Sequence, residues 1–334
     1  MRRARSPIAL DFGEQRVKVV QLELRAGVVH MRAAADEPVA PGEAAHLPAR
    51  QLDAASRALR RGRFAGRAAR IGLALDHVGT RHVRLPSDQW DDAGERIAAR
   101  IAAEPQAEAG LSICPLPVAE LLEQGERKRE YLCCTAAEPV IATAIARCEQ
   151  LGLVPDAIEL LPLAQCRPVL RGTAQDSFAL LDLGHEKSRL AIVRAGTPVL
   201  LRSMPVGTHQ LQQRLQDRLQ LDAQALADLA ADPADAELLQ HAVADALAPL
   251  CKPLLVRLAE GIRYCGSLFH GRTVTHLRLC GGGAALPGLV PFLARRLGLS
   301  TDTVDPLPDA HGLPHGPTRA AWTAAVGLAL GGLP

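Results

Sequence analysis

Aromatic residues are scarce in this 334-residue chain: two Trp, two Tyr and five Phe, 3% of the total. Binding single-stranded nucleic acid by stacking needs a run of π-faces, so this scarcity argues against such a platform. An excess of charge of one sign is missing too. The formal net charge is +2, which gives no global field to draw the chain to DNA or RNA. The eight cysteines, at positions 114, 133, 134, 148, 166, 251, 265 and 280, include no CxxC pair and no interleaved histidine spacing. They read as buried free thiols in a reducing compartment, not as a disulfide framework or a zinc site. No apolar segment follows the first residues as a signal peptide would. The longest uncharged runs, Leu279–Ala294 and Ala320–Pro334, are broken by Gly and Pro and fall short of the roughly 18 residues of a membrane span. Also missing are a GxxxxGK[ST] phosphate loop, an HExxH metal pair and, around Ser267 in "CGSLFHG", a GxSxG nucleophile elbow.

What remains is ordinary globular material. Hydrophobic residues make up 48% and charged residues 22%, enough for two domains or one bilobed body with a sizeable core. Arginine outnumbers lysine 34 to 4. The clusters Arg2, Arg3, Arg5 and Arg57, Arg60, Arg61, Arg63, Arg67, Arg70 read as solvated surface arginines, with contact to anionic headgroups or a partner as the alternative. The charge-dense stretch "EQGERKRE" (123–130) reads as a solvated hairpin loop. Trp90 and Trp322 read as packing residues.

One internal repeat organises the chain. Ile8–Arg32, "IALDFGEQRVKVVQLELRAGVVHMR", and Ala179–Ser203, "ALLDLGHEKSRLAIVRAGTPVLLRS", both give an apolar strand ending in Asp-x-Gly, a polar turn, an alternating strand, a second turn and a third strand. Asp11 matches Asp182 and Gly13 matches Gly184. A unit that occurs twice implies two similar lobes, each pointing an Asp at the space between them. Helices are predicted over 49–60, near 91–103, over 139–151 and 209–219, from about 236 to 269, from Pro287 to Leu297 and over 318–330. A capped segment begins near Asp222. Strands are predicted at "ARIGLALD" (69–76), "GLSICPLPV" (110–118), "REYLCCTAA" (129–137), "THLRLC" (275–280) and "STDTVDP" (300–306). The expected architecture is α/β and bilobed. Residues 1–70 with 153–175 form a first lobe, 71–152 a small α/β insertion in it, and 176–334 a second lobe with a smaller helical part at about 207–240.

Two Asp-Gly hairpins, with Gly281-Gly282-Gly283 between a strand and a helix, match in order and spacing the two phosphate motifs and the adenosine motif of the actin-like ATPase superfamily. Within it the chain most resembles the PilM-type type IV pilus assembly proteins, relatives of FtsA. The resemblance runs through "IALDFGEQRVKVVQLE", "IGLALDHVGTRHVRLP", "CEQLGLVPDAIELLPLA", "LLDLGHEKSRLAIVRAGTPVLLRSMPVGTHQL", "LRLCGGGAALPGLVPFLARRLGLSTDTVDP" and "AAWTAAVGLAL". It implies a duplicated ribonuclease H-like fold. It further implies a cytoplasmic scaffold, peripheral on the inner face of the bacterial inner membrane, that serves a type IV pilus or a related competence or secretion machine. Such a scaffold grips the N-terminal cytoplasmic peptide of a bitopic, PilN-like partner in a groove between the first lobe and the insertion, here with Val83–Leu85 and Tyr131–Cys134 as expected walls. It reaches the membrane only through that partner, takes no nucleic acid, and is compatible with a homodimer.

Family members hold ATP in the interlobe cleft, so the resemblance assigns a nucleotide cleft to Asp11, Gly13, Lys18, Asp182, Gly184, Glu260, Gly281, Gly282 and Gly283. Asp11 and Asp182 would position Mg²⁺ through its waters. This chain departs from the pattern at the phosphates. The Ser/Thr-rich first turn is replaced by Glu14-Gln15-Arg16, and the second turn reads His185-Glu186-Lys187-Ser188, in which His185 is read as a turn residue. A carboxylate about 4 Å from a terminal phosphate costs about 4 kcal/mol at an effective dielectric near 20, nearly a thousandfold in affinity. Arg16, Lys187 and Arg189 are the candidates to offset it. The acidic ribose contact of the family falls on Gly261, with Glu260 one position early and turned by about 100° on a helix. The expectation is a scaffold whose binding of ATP or ADP with Mg²⁺ is weak or lost and which does not hydrolyse ATP. The alternative is an active ATP-binding switch or ATPase of the same superfamily. A self-assembling filament is a third reading, and the tail lacks the charged face of an amphipathic anchor.

Overall fold

The computed structural model describes residues 4–104, 110–173, 177–222, 225, 236–268, 274–286, 288–308, 313 and 316–334. Strands β1 (Ala4–Arg5) and β2 (Ile8–Phe12) lie along one side of β3 (Arg16–Arg25), and β4 (Val28–Pro38) along its other side, all antiparallel. Strand β5 (Ala68–Leu73) pairs parallel with β2, and β9 (Val154–Leu160) parallel with β5. The period of two sorts the side chains. Ile8, Leu10, Val17 and Val19 face α1 (Leu47–Arg61) and α3 (Glu138–Gln150), whereas Ala9, Val20 and Leu22 face the opposite layer.

The second copy repeats this order. Strands β10 (Phe178–Leu183), β11 (Ser188–Arg194) and β12 (Thr197–Met204) form the antiparallel meander, and β13 (His276–Cys280) and β14 (Ser300–Thr303) add in parallel, giving β12-β11-β10-β13-β14. One face of this sheet packs on α5 (Thr208–Leu219), α6 (Ala236–Leu268) and α7 (Leu289–Leu297). The Asp222 carboxylate accepts the amide of Ala225 at 2.8 Å, the expected cap. Most of the segment that follows, and Pro287, lie outside the described residues.

Between the lobes runs a three-stranded antiparallel sheet, β6 (Gly79–Pro86), β8 (Glu126–Ala137) and β7 (Leu111–Glu123), in the order β6-β8-β7. Helix α2 (Ala93–Ala102) lays Ile97 and Ile101 over Val83, Leu85, Tyr131 and Cys133. Leu132 and Cys134, on the opposite face, share a core with Phe178, Leu180, Val193 and Leu201 of the second sheet and with Cys166 and Val169 of α4 (Leu161–Thr173). The inserted sheet therefore packs against the second lobe as well as the first. The apolar side chains expected to wall a groove are consumed in these two cores.

Two more expectations change. The stretch 123–130 is not a loop: the turn is Gln124-Gly125, β8 starts at Glu126, and Glu130 is 1% exposed. Tyr264 on α6 donates to it at 2.7 Å, and His82 Nδ1 lies 3.0 Å away. The closing helix α8 (Thr323–Gly331) does not cap the second lobe. Its sequence TAAVGLALG has no polar face, so it needs walls on all sides, and it finds them in the first sheet and in α4. A Cβ on Gly327 would sit 2.0 Å from the Ala164 carbonyl, so α8 and α4 cross at backbone contact. The arginine cluster is at the surface as expected, with Arg60, Arg61, Arg63 and Arg67 exposed. Within it Arg57 and Arg61 pair with buried Glu37, Arg67 donates to the Gly152 carbonyl, and Arg70 pairs with Asp156 and Glu159. These bonds tie the first lobe together. All eight cysteines are free, and seven are buried.

Candidate functional site

The two hairpins β2–β3 and β10–β11 face each other across a cleft of about 740 Å³. Asp11, Gly13, Lys18, Asp182, Gly184, Gly281, Gly282 and Gly283 all line it. Glu260 does not. Its carboxylate pairs at 3.0 Å with Arg257, one turn back on α6. The next residue, Gly261, faces inward, where a Cβ would stand 2.9 Å from Ile192 Cδ1 and Leu200 Cδ2. Close packing of α6 on β11 and β12 thus leaves no room for an acidic side chain at position 261.

Each lobe sets its aspartate opposite a cation. In register, Asp11 stands across from Lys18, and Asp182 across from Arg189, equivalent pairs in the repeat. Burial dominates at Asp11, 8% exposed, and raises its carboxyl from the ordinary 3.8 to about 6. Lys18 pulls it down, nearby Asp182 pushes it up, and Arg189 and Asp36 act more weakly in opposite directions. Gly13 and Gly184 serve their own turns, since a Cβ would meet the Arg16 carbonyl at 2.5 Å and the Lys187 carbonyl at 2.6 Å.

The glycine triplet divides by role. Gly281 has φ +82°, and a Cβ on it would lie 2.2 Å from an Asp182 carboxylate oxygen. A Cβ on Gly283 would lie 1.8 Å from the Thr208 methyl. Only Gly282 has open space around it. Packing alone therefore accounts for two of the three glycines. Gly281→Ala is expected to cost about 2 kcal/mol through left-handed strain and the displaced Asp182, read as a lower denaturant midpoint with an unchanged slope. A wild-type midpoint would show that the loop adapts without cost.

At the turns, the residues that depart from the family pattern touch each other. The Glu186 backbone amide donates to the Glu14 carboxylate at 3.1 Å, and Gln15 Nε2 lies 3.1 Å from His185 Nε2. One amide that a terminal phosphate would seek is therefore already paired. The first amides of α5 are also taken: Thr208 N–H donates to the Gly184 carbonyl at 2.8 Å and His209 N–H to the His185 carbonyl at 3.0 Å. Arg16, also in the cleft lining, pairs with Asp36 at 2.8 Å.

The sequence reading missed Asp76, which ends the β5 segment in a short 3-10 turn. It accepts the Ser203 hydroxyl at 2.6 Å and Arg189 at 2.8 Å, with Lys187 Nζ at 3.5 Å. Burial alone would raise its pKa; the Ser203 hydroxyl, Arg189 and Lys187 outweigh that and hold it below the ordinary carboxylate value. Its signal was visible: a third strand ending in Asp, like those at 11 and 182. Among the described residues no cluster of three or more His, Cys, Asp or Glu could hold a metal ion. No helix among them is long and apolar enough to cross a membrane.

No curated protein matches the sequence. Among solved structures, a PilM–PilN type IV pilus biogenesis complex gives a TM-score of 0.74 at 21% identity, over 98% of this chain and 98% of that one. The ethanolamine utilization protein EutJ from Carboxydothermus hydrogenoformans gives 0.56 at 12% identity over 98% and 89%. MreB 5 of Spiroplasma citri, bound to AMPPNP, gives 0.52 at 12% identity over 97% and 95%. These likenesses show the actin-like fold. Residues 162–331, half of the chain, match the family described as type IV pilus assembly protein PilM. With its duplicated sheets, paired Asp-Gly hairpins and glycine loop, the chain belongs to the PilM family of type IV pilus assembly proteins.

Proposed function

We infer that this PilM-family protein is a cytoplasmic scaffold on the inner face of the inner membrane, which captures the N-terminal cytoplasmic peptide of a PilN-like bitopic protein and binds nucleotide weakly or not at all. The observation that carries the partner reading is the match, over nearly the whole of both chains, to a relative solved as a PilM–PilN complex. The extended peptide lies between the first lobe and the inserted sheet and pairs through its main chain. Of the two edges of that sheet, β7 is blunted by Pro115 and Pro117, which cannot donate. Strand β6 has no proline before Pro86, its last residue, so its amides are the ones a peptide strand would use. The weak-nucleotide reading rests on the paired Glu186 amide, the occupied α5 amides and the position of Glu260.

Two titrations test this reading. A synthetic peptide with the N-terminal cytoplasmic residues of a PilN-like protein is expected to bind saturably by calorimetry. A scrambled peptide is expected not to bind. Absence of binding at millimolar peptide would overturn the scaffold reading. Thermal unfolding with Mg-ATP or Mg-ADP is expected to show no saturable shift. A ligand at a hundred times its Kd would add about 2.7 kcal/mol, so a shift abolished by Asp182→Ala would instead favour an ATP-binding switch.

A further inference from the structure

Glu14 and Gln15 of the first turn correspond, in the repeat, to His185 and Glu186 of the second. The contacts across the cleft run crosswise: Glu14 takes the amide of Glu186, and Gln15 meets His185. Each turn thus offers its first residue to the partner's second, a pseudo-twofold clasp. On the cation side, Arg189 stands between Asp182 of its own lobe, at 3.5 Å, and Asp76 of the first, at 2.8 Å, with its side chain 12% exposed. Ser203 Oγ adds a second bond to Asp76 at 2.6 Å. The cleft therefore contains, from its own chain, an anion on a second-turn amide and a cation beside the second-lobe aspartate.

A Mg-triphosphate between two such turns would supply the same two charges: an anion shared by the amides of both turns and a cation facing the carboxylates. The geometry points to a self-liganded cleft, in which the Glu14 carboxylate occupies the terminal-phosphate position, Arg189 occupies the cation position, and the two lobes are latched together without nucleotide. The inference deepens the weak-nucleotide reading above and rests on it. It gives the departure at Glu14 a positive role. The same side chain that repels a phosphate holds the second turn in place, so the closed arrangement needs no nucleotide to form.

Amide exchange read residue by residue, with Mg-ATP as the probe ligand, tests the latch. Glu14 is only partly buried, so Glu14→Ala should fold; Glu14→Gln, which keeps an acceptor oxygen and loses the charge, is the conservative control. In wild type the Glu186 amide is expected to be protected without ligand. In Glu14→Ala it should exchange about tenfold faster or more, with Glu14→Gln in between, and Glu14→Ala should gain a saturable thermal shift with Mg-ATP. Unchanged exchange in Glu14→Ala would overturn the latch. Faster exchange with continued indifference to Mg-ATP would overturn the claim that Glu14 is what keeps the phosphate out. Failure of the scaffold reading shows elsewhere, as absent peptide binding in wild type with the exchange result intact. Failure of the weak-nucleotide reading shows as a Mg-ATP shift in wild type itself.

Discussion

Asp11→Asn is expected to stabilise the nucleotide-free protein at pH 7 by about 3 kcal/mol. The Asp11 carboxyl is raised from 3.8 to about 6, first by burial and then by Asp182 and Asp36, with Lys18 and Arg189 opposing. The sign follows from proton counting. Between about pH 4 and 6 the folded state keeps a proton on Asp11 that the unfolded chain has released, so stability falls as pH rises through that window and levels off above it. Asparagine cannot ionise and removes this loss. The variant should match wild type near pH 4 and exceed it from pH 6 upward, as a rise in Tm of several degrees. Denaturant unfolding of both proteins from pH 4 to 8, without nucleotide or metal, checks it. Parallel pH profiles would mean that Asp11 is not desolvated in the protein.

Glu130→Ala is expected to have the opposite effect and to cost about 3–5 kcal/mol, the usual penalty for breaking a buried charged network from one side. The carboxylate is 1% exposed, accepts the Tyr264 hydroxyl at 2.7 Å, and has Arg84 Nε at 3.4 Å. Burial raises its pKa, but His82, Tyr264 and Arg84 outweigh that and hold it below the ordinary value. Alanine would leave the imidazole and the phenol without their shared acceptor in a pocket lined by Arg84, Arg100 and Glu104. Tyr264→Phe, which removes only the hydroxyl, should cost about 1–2 kcal/mol. A double-mutant cycle between the two isolates the coupling of the inserted sheet to α6 of the second lobe. Additive losses would mean that the two sites are independent. A positive coupling would show that the insertion, where the peptide is proposed to bind, is mechanically tied to the lobe that carries the second phosphate turn.

The fold was legible because it is written twice. Asp-x-Gly after an apolar strand, followed by an alternating strand, specifies a hairpin locally, and its recurrence specified two matching sheets. The glycine loop and both aspartates line one cleft, since order along the chain fixes which strand ends share an edge of the sheet. Glu260 could not be placed that way. A helix position one residue early faces another direction, and only the packing of Gly261 against Ile192 and Leu200 shows which direction that is. Asp76 showed its signal as an Asp at the end of a predicted strand, but its partners Arg189 and Ser203 are remote in sequence and only the fold identifies them.

By itself, then, the sequence determined the duplicated hairpins, the free buried cysteines and an acid in the first phosphate turn, because each is a property of a short segment or of its repetition. Only the tertiary structure decided that Glu14 accepts an amide from the opposite lobe, that Glu130 is buried beneath Tyr264, and that the apolar closing helix belongs to the first sheet. Those outcomes depend on which surfaces meet when two lobes and an insertion close on one another. Charge and apolarity of a segment say that it must find a partner, but not which one.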